Sequence, residues 1–88
     1  MGVRENIRWL KERKERTDIF VVIAKRGPSK IGELREYLKT DDWWPAKCYV
    51  KDLADRGLIS ESEGGYRVTE AGEKVFESLK AVYDIESI

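Results

Sequence analysis

Apolar residues along this chain recur at helical spacing, then briefly in a short extended stretch, then at helical spacing again. Val3, Ile7 and Leu10 lie about one turn apart, and Arg8/Glu12, Lys11/Glu15 and Glu12/Arg16 are opposite charges four residues apart, which predicts an exposed amphipathic helix over 3–15. Thr17 or Asp18 offers a cap for a stretch carrying Ile19, Phe20, Val22, Ile23 and Ala24, which is apolar on most faces and therefore central in the fold. The pattern accommodates either one helix over 3–26 or two with a break near Thr17. Arg26-Gly27-Pro28 ends it.

Ser29 is the expected cap of the next helix, whose inner face carries Ile31, Leu34 and Leu38. Lys39-Thr40-Asp41 makes a turn. Asp42 then caps a helix running to Arg56, with Pro45 tolerated in the first turn because its missing N–H has no partner to lose. Val50, Leu53, Ala54 and Gly57 share one face of that helix, and Gly57 supplies the left-handed backbone that stops it. Leu58-Ile59 begins a strand, Ser60 to Glu63 is polar, Gly64-Gly65 is the expected tight turn, and Tyr66, Val68 and Thr69 suit the returning strand. Thr69 caps a last helix with Glu70 and Glu73 near its positive end and Val75, Phe76, Leu79, Val82 and Tyr83 on a broad apolar face. Two strands this short need a helical layer on their apolar side. The surplus apolar face of the last helix and the stripe of the first are expected to pack together or across a two-fold axis.

Length and charge narrow the picture. A chain of 88 residues makes one small core, burying only about 60% of its unfolded surface, so a second copy is an obvious source of added stability. Lys+Arg and Asp+Glu both number 17 and cancel, leaving no global attraction to nucleic acid. The cancellation hides a gradient. Residues 1–30 hold nine basic and four acidic side chains, residues 31–57 five and six, and residues 58–88 three and seven, so a nucleic-acid face must be local. With a single cysteine, Cys48, and no histidine, an intrachain disulfide, a cysteine zinc cluster and triad chemistry all lack their residues. No nucleophile with a base and no phosphate-cradling glycine loop stands out, so neither enzyme activity nor a cofactor or metal is expected. No apolar run approaches the ~18 residues of a membrane span, and the first residues lack a signal peptide's apolar centre, which predicts a cytoplasmic protein. Abundant Lys and Glu with so little Cys and His lean toward an archaeal or thermophilic source.

The succession of a helix, GPSKIGELREYL, DDWWPAKCYVKDLADRGLI, ESEGGYRV and TEAGEKVFESL resembles winged helix-turn-helix regulators of the MarR, PadR and ArsR kind and small archaeal and archaeal-virus winged-helix proteins, over about residues 17–80. The resemblance implies a mainly α fold with a small β-hairpin, divided into an N-terminal amphipathic helix (1–16, a possible dimer contact), a winged-helix domain (17–83) and a short tail (84–88). It further implies a sequence-specific, homodimeric regulator that reads double-stranded DNA with helix 42–56 in the major groove while the wing touches the adjacent backbone.

Placing Val50 inward turns Trp44, Cys48, Lys51, Asp52 and Asp55 outward, with Lys47 at the margin. The expected DNA-binding residues are therefore Lys30, Trp44, Lys47, Cys48, Lys51 and Arg67. Other readings stand beside these. Lys51 pairs with Asp55 at helical spacing, one of Trp43 and Trp44 is expected to seal the core or a dimer contact, and Cys48 is either a passive small side chain or a thiol sensor. Glu61 and Glu63 in the wing, with zero net charge, point to the alternative of a winged-helix module binding another protein in a transcription, replication or sorting assembly.

Overall fold

Helical and strand periodicities become α1 (Val3–Lys11), α2 (Lys14–Arg26), α3 (Ile31–Tyr37), α4 (Trp44–Asp55), β1 (Ile59–Ser62), β2 (Gly65–Val68) and α5 (Glu70–Leu79). The structure is a computed structural model and describes residues 2–39 and 41–82. Thr40 of the expected turn, Tyr83 and the 84–88 tail lie outside the described residues.

The chain over 3–26 forms two helices, and the break falls at Glu12-Arg13 instead of Thr17. The reason lies in how α1 ends. Its last carbonyls are met by side chains from α2: Thr17 Oγ1 donates to Leu10 O at 2.6 Å, and the Arg16 guanidinium donates to Trp9 O. Thr17 is thus wholly buried one turn inside α2, and neither it nor Asp18 caps the helix. Asp18 instead accepts from Lys14 at 2.8 Å. α2 is the central element: Ile19, Phe20, Val21, Val22 and Ile23 are all buried.

Ser29 does not cap α3, which begins after Lys30. Its backbone pairs with Tyr66, N–H to O at 2.9 Å and O to N–H at 2.8 Å, adding a one-residue rung to the edge of the hairpin. That approach requires glycine opposite. Gly65 sits at φ 117°, and a Cβ there would lie 2.6 Å from Ser29 O. The hairpin itself pairs Ile59 with Val68 and Ser62 with Gly65, so its turn is Glu63-Gly64, one residue earlier than Gly64-Gly65. Positive φ is needed at the start of the returning strand and not at the turn's centre.

α4 begins at Trp44, whose N–H donates to Asp42 Oδ1 at 2.9 Å, with Pro45 in the first turn. At its end Gly57 (φ 78°) donates to Ala54 O and Leu58 to Leu53 O, the two crossed bonds of a Schellman stop. α5 opens as expected: Thr69 Oγ1 accepts from Gly72 N–H at 3.0 Å and donates to Gly57 O at 2.6 Å, tying the end of α4 to the start of α5.

Leu10, Phe20, Leu34, Leu53, Leu58, Val75 and Leu79 meet in one core to which every helix contributes. α1 packs on both α2 and α5 within the chain, so the N-terminal stripe and the last helix do cover each other. Phe20 and Phe76 meet edge to face with centroids 6.4 Å apart. Trp9, half-buried, lies between the guanidinium groups of Arg16 (3.8 Å) and Arg56 (4.4 Å), and Arg56 Nε donates to Asn6 Oδ1. These contacts lock α1 against α2 and α4.

Candidate nucleic-acid interface

The side of α4 away from the core is built by helical phase alone. Ala46, Val50 and Leu53 are buried under α2 and α3, which leaves Trp44, Lys47, Lys51, Asp52 and Asp55 exposed and Cys48 half-buried. Between this helix and the wing lies a groove of about 410 Å³ lined by Ile31, Lys47, Val50, Lys51, Ala54, Glu61 and Tyr66. The groove lies between α4 and a hairpin whose β2 is tied to the segment before α3 by the Ser29–Tyr66 bonds.

The six expected contact residues do not form one patch. Lys47 and Lys51 are one turn apart on the groove wall, and Trp44 stands one turn earlier at the leading end of α4, 69% exposed. Lys30 is exposed at the N-terminal boundary of α3, next to Ile31 at the groove's other wall, with its backbone against Gly65 of the wing. Cys48 is half-buried and does not line the groove. Arg67 is also separated from it: it pairs across the hairpin with Ser60, while Glu61 and Tyr66, one residue on, face the groove. Alternation of side chains across a strand puts Arg67 on the opposite face of the wing.

Charge in the groove is mixed. Lys51 Nζ donates to Asp55 at 2.7 Å, and that hydrogen bond, with the carboxylate's charge, holds the ammonium above the usual lysine range. Lys47 makes no ion pair among the described residues. Burial pushes the Tyr66 phenol up, and Glu61 adds to the shift. The site therefore offers one uncommitted cation at its centre, a second engaged with Asp55, and a carboxylate on the facing wall.

Trp43 and Trp44 have different roles. Trp43 is 40% exposed; Arg35 stacks on its ring at 4.1 Å, and its edge lies over Gly32. It joins the start of α4 to α3 at the surface. Neither tryptophan enters the core. Sequence reasoning missed three participants: Ile31, Tyr66 and the Arg35–Trp43 stack. Ile31 and Tyr66 read as ordinary core positions, and only the wing's lean against α3 leaves them half open. Trp9, which does brace the fold, carries no local signal because its two arginine partners are seven and 47 positions further along the chain.

Among the described residues there is no group of three or more His, Cys, Asp or Glu placed to hold a metal ion, and no helix is long and apolar enough to cross a membrane.

This assembly, a helical base with one helix aimed outward beside a β-hairpin, is that of a winged helix-turn-helix. A winged helix-turn-helix family model matches residues 13–87, and the chain belongs to that family. Among solved structures it is similar to the activation domain of the phage T4 transcription factor MotA, with 20% identity, a TM-score of 0.72, and coverage of 85% of this chain and 79% of that one. At that identity the similarity concerns the fold. No curated protein matches the chain.

Proposed function

We propose that this chain is a double-stranded DNA-binding transcription regulator that works as a homodimer and reads the major groove with the outer face of α4, in the manner of MarR, PadR and ArsR regulators. The observation that carries this is the clearance of α4: its outer face, with Trp44, Lys47 and Lys51, is left uncovered by the described residues and flanked by the wing. Lys47 and Lys30 are the phosphate contacts, Lys51 joins them by exchanging Asp55 for a phosphate, and Arg67 meets backbone on the far side of the wing. Glu61 and Glu63 keep the wing's near face off the phosphates. The role is one of binding, without catalysis.

Each lysine seated on a phosphate displaces condensed counterions, so the logarithm of the binding constant should fall linearly with the logarithm of salt concentration. Replacing Lys47 and Lys51 by Ala should reduce that slope by about 2 and weaken binding to every duplex, with an unchanged thermal melt. Anisotropy titrations at several salt concentrations measure it. Binding by the double variant that equals the parent's would remove α4 from the interface.

A second reading has its own support. The groove walls are largely apolar, through Ile31, Val50, Ala54 and Tyr66, the wing is acidic, and the similar phage domain is named an activation domain. A protein partner would use the same groove, and its signature is binding that responds weakly to salt with no measurable affinity for duplex DNA.

A further inference from the structure

We infer that Trp44 is a base-stacking residue and that duplex DNA containing an unpaired or unstacked base is bound more tightly than a perfectly paired duplex. The inference rests on the DNA-binding reading above and specifies its ligand.

Three observations lead to it. First, among the described residues Trp44 is the most exposed of the large apolar side chains, at 69%, and makes no ring or cation contact. Its neighbour Trp43 has both, over Gly32 and under Arg35, so the fold accounts for one indole and leaves the other unused. Second, Trp44 stands at the leading end of α4, the part of a reading helix that approaches the bases most closely. Pro45 behind it and the Asp42 bond to its N–H fix the direction from which the ring projects.

Third, the charge beside it is mixed. Lys47 is uncommitted, Lys51 is bound to Asp55, and Glu61 faces them. A contact that does not depend on charge adds to what these partly offset cations supply. In a stacked duplex the flat faces of the bases are hidden and an indole meets only edges and thymine methyl groups. An unpaired base exposes its whole face, and stacking of aromatic side chains on such faces is a recurrent and sequence-tolerant source of affinity. Lys47, one turn further along α4, and Lys30 across the groove then hold the phosphates on either side of the displaced nucleotide.

The test uses three ligands of common sequence: a perfect duplex of about two helical turns, the same duplex with a single-nucleotide bulge, and the single strand. Anisotropy titrations of the whole chain should give binding to the bulged duplex tighter than to the perfect one by about 5- to 150-fold, the range that one stacked base supplies. Trp44→Ala should erase that preference, and Trp44→Phe should retain part of it. In a Trp9→Phe/Trp43→Phe background, whose folding is checked by circular dichroism, emission from Trp44 should be quenched by the bulged duplex and little changed by the perfect one. If that background does not fold, the anisotropy comparison of Trp44→Ala with the parent decides the matter alone.

A preference for the bulge that survives Trp44→Ala overturns the stacking role, as does equal affinity for the two duplexes. In both cases duplex binding sensitive to Lys47→Ala would leave the DNA-binding reading in place. Failure to bind any of the three ligands would overturn both together.

Discussion

At the scale of single residues, the titrating groups predict how the fold responds to alkali. Burial raises the Tyr49 phenol, and its hydrogen bond to Glu15 at 3.0 Å adds to the shift. Burial also raises Tyr66, and the bond to Asp55 raises Lys51. In all three the folded chain holds its proton more tightly than the unfolded chain. Their contribution is therefore complete below the unfolded values, about 10 for tyrosine and 10.4 for lysine, and is lost as pH rises through the folded ones. Thermal melts should be level from neutral pH to about 9 and fall above about 10. Tyr49→Phe and Tyr66→Phe should each flatten part of that decline, and a decline unchanged in both would assign it to Lys51. Arg16 is lowered, chiefly by burial, a shift of the opposite direction.

At the scale of elements, local signals decided where helices exist and tertiary contacts decided where they stop. The Thr69 cap, the Gly57 stop and Pro45 in a first turn were legible because each acts within four residues of itself. The α1–α2 break was not, because Thr17 and Arg16 spend their hydrogen bonds on carbonyls seven residues back. The junction of β1 with α5 is tight in the same non-local way. Gly72 lies against Leu58, and a Cβ on it would fall well inside contact distance of the Leu58 carbonyl and 3.3 Å from Val68. Alanine favours a helix interior by about 1 kcal/mol over glycine, yet Gly72→Ala should destabilise by about 1–3 kcal/mol, because the obstacle is backbone that cannot rotate aside. Urea unfolding measures the sign. A stabilised variant would mean that α5 shifts freely against the hairpin.

At the scale of the whole molecule, the seam between α1 and α5 is the surface on which self-association should be sought. Val3 and Ile7 are half-buried there, Val82 is 59% exposed, and with Arg4, Lys11 and Ser78 they line a depression of about 480 Å³. If the homodimer forms through this seam, Ile7→Glu with Val82→Glu should leave a folded monomer in sedimentation and weaken binding to a two-half-site duplex much more than to a single half-site. A dimer that persists in the double variant places the interface elsewhere. The residues proposed to face DNA show the same limits of local reasoning. Helical phase sufficed to turn Trp44, Lys47 and Lys51 outward. It could not show that strand alternation carries Arg67 to the other side of the wing, or that Ile31 and Tyr66 would complete the groove.

By itself the sequence determined the element types and their order, the central place of α2, the outward face of α4, the stop at Gly57 and the cap at Thr69, because periodicity and capping act over one or two turns. Only the tertiary structure decided the break before α2, the Ser29 rung that leans the wing on α3, the bracing of Trp9 between two arginines and the separate fates of Trp43 and Trp44. Those features depend on which distant groups meet once the core closes, and no local pattern encodes such meetings.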